Sequence, residues 1–194
     1  MTWAFQEEDP RLVPEAVRTR AVADGADFVI DGTKLFVDNF AAADLCVVAC
    51  RTASASKGSA GLSLFLVDAK SAGISHTPLV TLAKDKQSEV TFSKVRVPKA
   101  SLVGELNEGW PIAERMLDRA TALLCAQILG AARKDAEMAI DYAKYRTAFG
   151  QPIGAFQSVG HMCADMILAI DGGCLLAYEA LWRLDQGLPA KVEG

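Results

Sequence analysis

The chain has 194 residues, 20 Lys and Arg against 24 Asp and Glu, a net charge of -4 and 51% hydrophobic residues, enough apolar material for one large domain or two small ones. The absence of a long basic run argues against nucleic-acid binding, where many phosphates must be neutralised. No uninterrupted apolar run approaches the roughly 20 residues that cross a bilayer, and MTWAFQEEDPR lacks the order of a secretion signal, so a soluble cytoplasmic protein without a membrane span is expected.

From residue 17 to about 103 the pattern is that of strands. VRTRAVADGADFVIDGTKLFVDNF holds two short runs, punctuated by the turn dipeptides Asp24-Gly25 and Asp31-Gly32. ADLCVVACRT follows as a β-branched run, then the polar tract ASASKGSAG, expected to be a solvated hairpin loop. LSLFLVD, GISHTPLV and SEVTFSKVRVP supply further strands. In the last of these, Val90 and Phe92 alternate with polar residues, as do Val95 and Val97, but in a slipped phase, which predicts a bulge or bend. Short strands at this spacing predict a small β-barrel or sandwich.

The period then changes. Asn107-Glu108-Gly109-Trp110-Pro111 is a helix start, with proline tolerated in the first turn because its missing N–H has no partner to lose there. Apolar residues from Ile112 to about Lys144 recur at helical spacing. TAFGQPIGAF makes a turn into a second long helix, from about Gln157 to Gln186, whose middle Gly172-Gly173 should bend. Two long antiparallel helices cannot bury both apolar faces alone, so they should belong to a larger helical bundle. The fold class expected is α+β, with domain boundaries at 1–16, 17–104 and 105–194.

Few residues form a catalytic constellation. Cys46, Cys50, Cys125, Cys163 and Cys174 sit in apolar company and are expected to be small buried hydrophobes in a reducing compartment. His76 and His161 are far apart, so neither a metal site nor a Cys/His nucleophile pair is expected. GSAG at 58–61 lacks the context of a phosphate loop, and Glu7, Glu8 and Asp9 are expected on a solvated surface. Asp165 and Asp171 should lie on a polar helix face or bond between helices. YRTAFGQPIGAFQ is the richest segment. Its Arg146 can pair with a phosphate, its Phe149 can stack on a flat ring and its Gln157 can meet a nucleotide edge. On physics alone the same segment reads first as a helix C-cap with a packed phenylalanine.

Three motifs in order resemble the acyl-CoA dehydrogenase family of FAD flavoproteins: DGADFVIDGTKLFVDN, VTFSKVRVPKASLVGELNEGW and YRTAFGQPIGAFQ. The resemblance covers residues 17–186. It implies the family's middle β domain and the first two long helices of its C-terminal domain, a tetrameric assembly, and oxidation of an acyl-CoA thioester to trans-2-enoyl-CoA. Electrons would leave through an electron-transferring flavoprotein. By the same resemblance Arg146, Phe149 and Gln157 would contact the adenosine and pyrophosphate end of an FAD held mainly by a neighbouring subunit. Phe36 would pack against the flavin ring and Asp118 would lie at the CoA stretch.

The departures are specific. The catalytic glutamate has no match in this chain: one of its family positions is Ala120, beside Thr121 where an arginine that pairs with CoA is common. FQEEDPRLVPEA, in residues 1–16, stands in place of the flavin and CoA loop. Asp38 stands where a hydroxyl usually meets the flavin, and reads equally as a solvent-facing turn aspartate before Asn39. Two roles follow: a subunit or truncated form of an FAD-dependent acyl-CoA dehydrogenase, or a non-catalytic subunit of a heteromeric enzyme that lends its FAD contacts to a partner. Homo- and hetero-oligomers both remain open.

Overall fold

The computed structural model describes residues 1–53 and 58–190, so the expected ASASKGSAG loop lies partly outside the described residues. The chain divides into two compact units, Met1–Ala113 and Glu114–Gly194. The first contains β1 (Thr2–Ala4), β2 (Arg20–Asp24), β3 (Asp27–Asp38), β4 (Leu45–Arg51), β5 (Leu62–Asp68), β6 (Ile74–Leu79), β7 (Gln87–Pro98) and β8 (Leu102–Val103). They form one mixed sheet in the order β6-β7-β3-β2-β4-β5-β8, with β1 added parallel to β4.

That sheet curls over its own core. Phe28 on β3 and Phe65 on β5 are three strand spacings apart along the sheet, about 14 Å if it were flat. Their ring centroids are instead 5.0 Å apart. Between them Ile30, Val48, Val67, Val90 and Phe92 are all buried, each contributing about 1.5–3 kcal/mol of transfer free energy.

Two bulges allow the curl, and β7 carries the one that the slipped alternation predicts. Ile30 pairs with Val95 and Gly32 with Phe92, so two residues of β7 face one of β3, and Lys94 takes a positive φ of 52°. A second bulge lies on β3 itself, between Lys34 opposite Val90 and Val37 opposite Ser88, with Phe36 at φ 52°. Asp24-Gly25 makes the expected hairpin turn. Asp31-Gly32 does not: β3 runs through it unbroken. Gly32 is there because the strand passes against Thr19, whose hydroxyl oxygen a Cβ would meet at 2.5 Å.

The long helices are α1 (Trp110–Tyr145) and α2 (Gln157–Asp185). The first turn of α1 belongs to the first unit, where Trp110, Ile112 and Ala113 pack with Phe5, Val17 and Leu62. Within the second unit α2 continues helical through Gly172-Gly173. Gly173 suits close packing there: a Cβ on it would come within 2.6 Å of Leu129 Cδ2 on α1. Asp171 makes the expected bond between helices, accepting from Arg133 Nη2 at 2.5 Å.

Two further expectations are corrected. Cys46 and Cys50 are buried, but Cys125 is exposed and Cys163 and Cys174 are half-buried, because the faces that carry them have no covering among the described residues. Glu7 is buried, not solvated. By length and composition alone α2 is also apolar enough to cross a membrane, with a window of mean hydropathy 1.4, although His161, Asp165 and Asp171 interrupt its apolar run.

Candidate functional site

The segment joining the two long helices is a tight β-hairpin, β9 (Thr147–Ala148) and β10 (Gln151–Pro152). Its loop is Phe149-Gly150, with φ of 51° and 82°, the double positive φ that two-residue hairpin loops demand. Glycine satisfies this freely; phenylalanine does so only under strain. The base is closed by Ile153 N donating to Arg146 O at 2.8 Å, while Arg146 N donates to Tyr142 O at 2.9 Å.

The hairpin brings three of the expected residues to one corner. Arg146 directly follows α1, Phe149 is at the hairpin tip and Gln157 opens α2. All three are exposed, and Phe149 is 97% exposed, so the packed-phenylalanine reading is corrected. Its only ring neighbour among the described residues is Phe156, edge-on at 6.2 Å, immediately before Gln157. The Arg146 guanidinium has no side-chain partner among the described residues, and the N-terminus of α2 has no side-chain cap. An unpaired guanidinium, a bare aromatic face and uncapped amides together suit a phosphorylated aromatic ligand.

Asp118 lies elsewhere in the second unit. It lines a groove of about 670 Å³ between α1 and α2 with Thr121, Cys125, Leu129, Gly173 and Leu176. Ala120 is exposed on the same helix.

In the first unit, Phe36 stands at the β3 bulge, 47% exposed, and Asp38 is exposed at the strand's end. The N-terminal segment runs alongside them: Thr2 Oγ1 donates to Asp38 O at 2.6 Å and Leu35 N donates to Gln6 O at 2.8 Å. A groove of about 460 Å³ opens beside this segment, lined by Glu8, Asp9, Arg18, Thr33, Leu35 and Glu89.

Below the groove is a buried ion pair that no motif announces. Lys34 is wholly buried, and its Nζ donates to Glu7 Oε1 at 2.7 Å and to Phe5 O at 3.1 Å. Glu7 also accepts from Thr19 N at 3.0 Å and Arg18 N at 2.9 Å. Burial alone would raise the Glu7 carboxyl. The Lys34 charge and hydrogen bond, with the two backbone N–H groups, outweigh it and hold the carboxyl below its ordinary range. The signal was present in the sequence: Ile30, Gly32 and Lys34 share the inward phase of β3, and an inward lysine requires a buried acceptor.

The chain matches the acyl-CoA dehydrogenase middle domain over residues 4–95 and the acyl-CoA dehydrogenase C-terminal domain over residues 107–194. The chain belongs to the acyl-CoA dehydrogenase family. Among its relatives, the caffeyl-CoA reductase-Etf complex subunit CarC of Acetobacterium woodii is 34% identical, over 98% of this chain and 51% of its own length. The structure of butyryl-CoA dehydrogenase from Megasphaera elsdenii is similar at a TM-score of 0.90 and 28% identity, covering 97% of this chain and 50% of that one. PigA with FAD and proline is similar at a TM-score of 0.90 and 27% identity, with 97% and 50% covered. The chain spans about half the length of the curated relatives it matches.

Proposed function

We propose that the chain is part of an FAD-dependent acyl-CoA dehydrogenase assembly that oxidises an acyl-CoA thioester to trans-2-enoyl-CoA. The observation that carries this reading is the Arg146–Phe149–Gln157 corner, where an exposed phenylalanine is held in a left-handed conformation beside a free guanidinium. Strain at an exposed tip persists where it serves binding. The residues present fit FAD: Arg146 and the uncapped start of α2 would hold the pyrophosphate, Phe149 and Gln157 the adenosine, and Phe36 the ring of a second flavin. FAD when bound supplies the hydride acceptor for oxidation of the Cα–Cβ bond. The name of the Acetobacterium woodii relative supports an electron-transferring flavoprotein as the partner that takes the electrons onward. The exposed apolar residues of α2, among them Met162, Leu168, Leu175 and Trp182, support burial in an oligomeric helical bundle, with a tetramer as the family's form.

This chain's own residues orient and bind; none is assigned to remove the α-proton. Ala120 carries no titratable group, and the Asp38 carboxylate would oppose negative charge on a reduced flavin beside it. These two positions favour a second reading, a non-catalytic subunit that lends Arg146, Phe149 and Gln157 to a partner's FAD.

Flavin counted against protein tests both, with acyl-CoA added to bleach the flavin absorbance. One FAD per chain with bleaching supports the catalytic assembly. Flavin bound only after a partner chain is added supports lending. No flavin and no bleaching in any combination overturns the proposal.

A further inference from the structure

The buried pair below the β3 bulge does more than fill the core. One carboxylate, Glu7, accepts the N–H groups of both Arg18 and Thr19, and so closes the neck of the segment from Glu8 to Val17. The far side of that segment is held independently, by Arg51 donating from Nη2 to Pro14 O and from Nη1 to Gly58 O and Ala60 O. Lys34, the partner of Glu7, is the last paired residue of β3 before the bulge that carries Phe36. The same ammonium holds Phe5 O, while Gln6 O takes the Leu35 N–H within the bulge.

We propose that Glu7 and Lys34 are positioning residues, whose contact sets the Glu8–Val17 segment and the Leu35–Phe36 bulge relative to each other. Its bearing on flavin rests on the reading above, in which Phe36 faces the ring. Glu7 acts here through its two backbone N–H bonds and not only as a counter-charge, which separates this role from simple core stability.

The full chain with Glu7→Gln tests it by amide hydrogen exchange and FAD titration, with Glu7→Asp as the milder variant that keeps the charge against Lys34 but shortens the reach to Arg18 and Thr19. In Glu7→Asp the expected result is exchange at least about tenfold faster at Arg18, Thr19 and through Glu8–Val17, the size of one lost charge-assisted hydrogen bond, with the β4, β5 and β7 amides unchanged; Glu7→Gln also leaves Lys34 unpaired, so it adds a general rise across the sheet to the same local one. FAD affinity is expected to fall by a similar factor. Exchange raised equally across the whole sheet in Glu7→Asp, or unchanged at Arg18 and Thr19 in both variants, overturns the proposal. If the unaltered chain takes up no FAD, the flavin reading fails by itself, and the exchange pattern still upholds or overturns the positioning role.

Discussion

Gly32 of β3 lies against Thr19 with no space between them: a Cβ on Gly32 would stand 2.7 Å from the Thr19 Cα and 2.8 Å from its Cβ. Both atoms are backbone or fixed to it, so the neighbour cannot turn aside. Gly32 also holds a φ of 150°, which L side chains rarely adopt. Gly32→Ala is therefore expected to destabilise the first unit by about 2–4 kcal/mol, overpacking and backbone strain together. Gly25→Ala is the control. Its φ is 64° but nothing lies within 4 Å, so it should cost only about 1 kcal/mol. Urea unfolding of both variants gives the comparison, and equal losses would show that conformation and not contact decides.

Acid should weaken the fold through Glu7. Its carboxyl is held below the ordinary value of 4.5, so its contribution is full above that pH and is lost as pH falls through the folded-state value. Glu7→Gln removes the charge and leaves Lys34 buried without its partner, a loss of about 3 kcal/mol at neutral pH. The gap in stability between the parent and this variant should shrink below pH 4.5. A gap independent of pH between neutrality and acid would mean that Glu7 is not the carboxylate responsible.

Much of this fold is written in local pattern. The phase slip between Phe92 and Val95 locates the Lys94 bulge because inward and outward positions are physically distinct on a sheet with one buried face. The helices follow from period and from Pro111. Asp31-Gly32 misleads because its turn signal is local, whereas the need for glycine comes from Thr19 on another strand-like segment. Glu7 is hidden for a similar reason. Three acids in a row look solvated, and only the partner Lys34 shows that one of them is not. At the candidate site the residue types were readable in YRTAFGQPIGAFQ, but the hairpin loop and the outward phenylalanine depend on backbone angles that residue types alone left open.

Between α1 and α2, packing should outweigh charge. The Arg133–Asp171 pair is about half exposed on both sides, and an exposed pair contributes about 0.2–1 kcal/mol. A Cβ on Gly173 would stand 2.6 Å from the tip of Leu129, so Gly173→Val must displace that side chain. Asp171→Asn is expected to lower the melting temperature slightly, and Gly173→Val by severalfold more, by about 1–3 kcal/mol of overpacking. Leu129→Ala introduced with Gly173→Val should recover part of the loss. Strict additivity of the two would show that they do not touch.

Thiol reactivity should separate the cysteines. Burial pushes Cys46 and Cys50 up to about 12, so at mildly alkaline pH they are protonated as well as inaccessible. Cys125 is exposed on α1. A limiting alkylating reagent should label Cys125 in the folded chain and reach Cys46 and Cys50 only on unfolding, as read by mass spectrometry. Early labelling of Cys50 would mean that β4 opens readily.

Phe149 offers a trade between stability and binding that the hairpin geometry makes explicit. Its φ of 51° in a two-residue loop is the conformation that asparagine accepts most easily, and its ring is almost wholly exposed. Replacing it by asparagine removes backbone strain and gives up little packing, so Phe149→Asn should stabilise the second unit by about 0.5–1 kcal/mol. The same change removes the aromatic face and should weaken FAD retention by about tenfold, the worth of a good stacking contact. Thermal unfolding and flavin titration on one preparation read both. A variant that is both less stable and equally good at holding flavin would mean that the ring packs where the structure leaves it open and that the strain at Phe149 serves the fold.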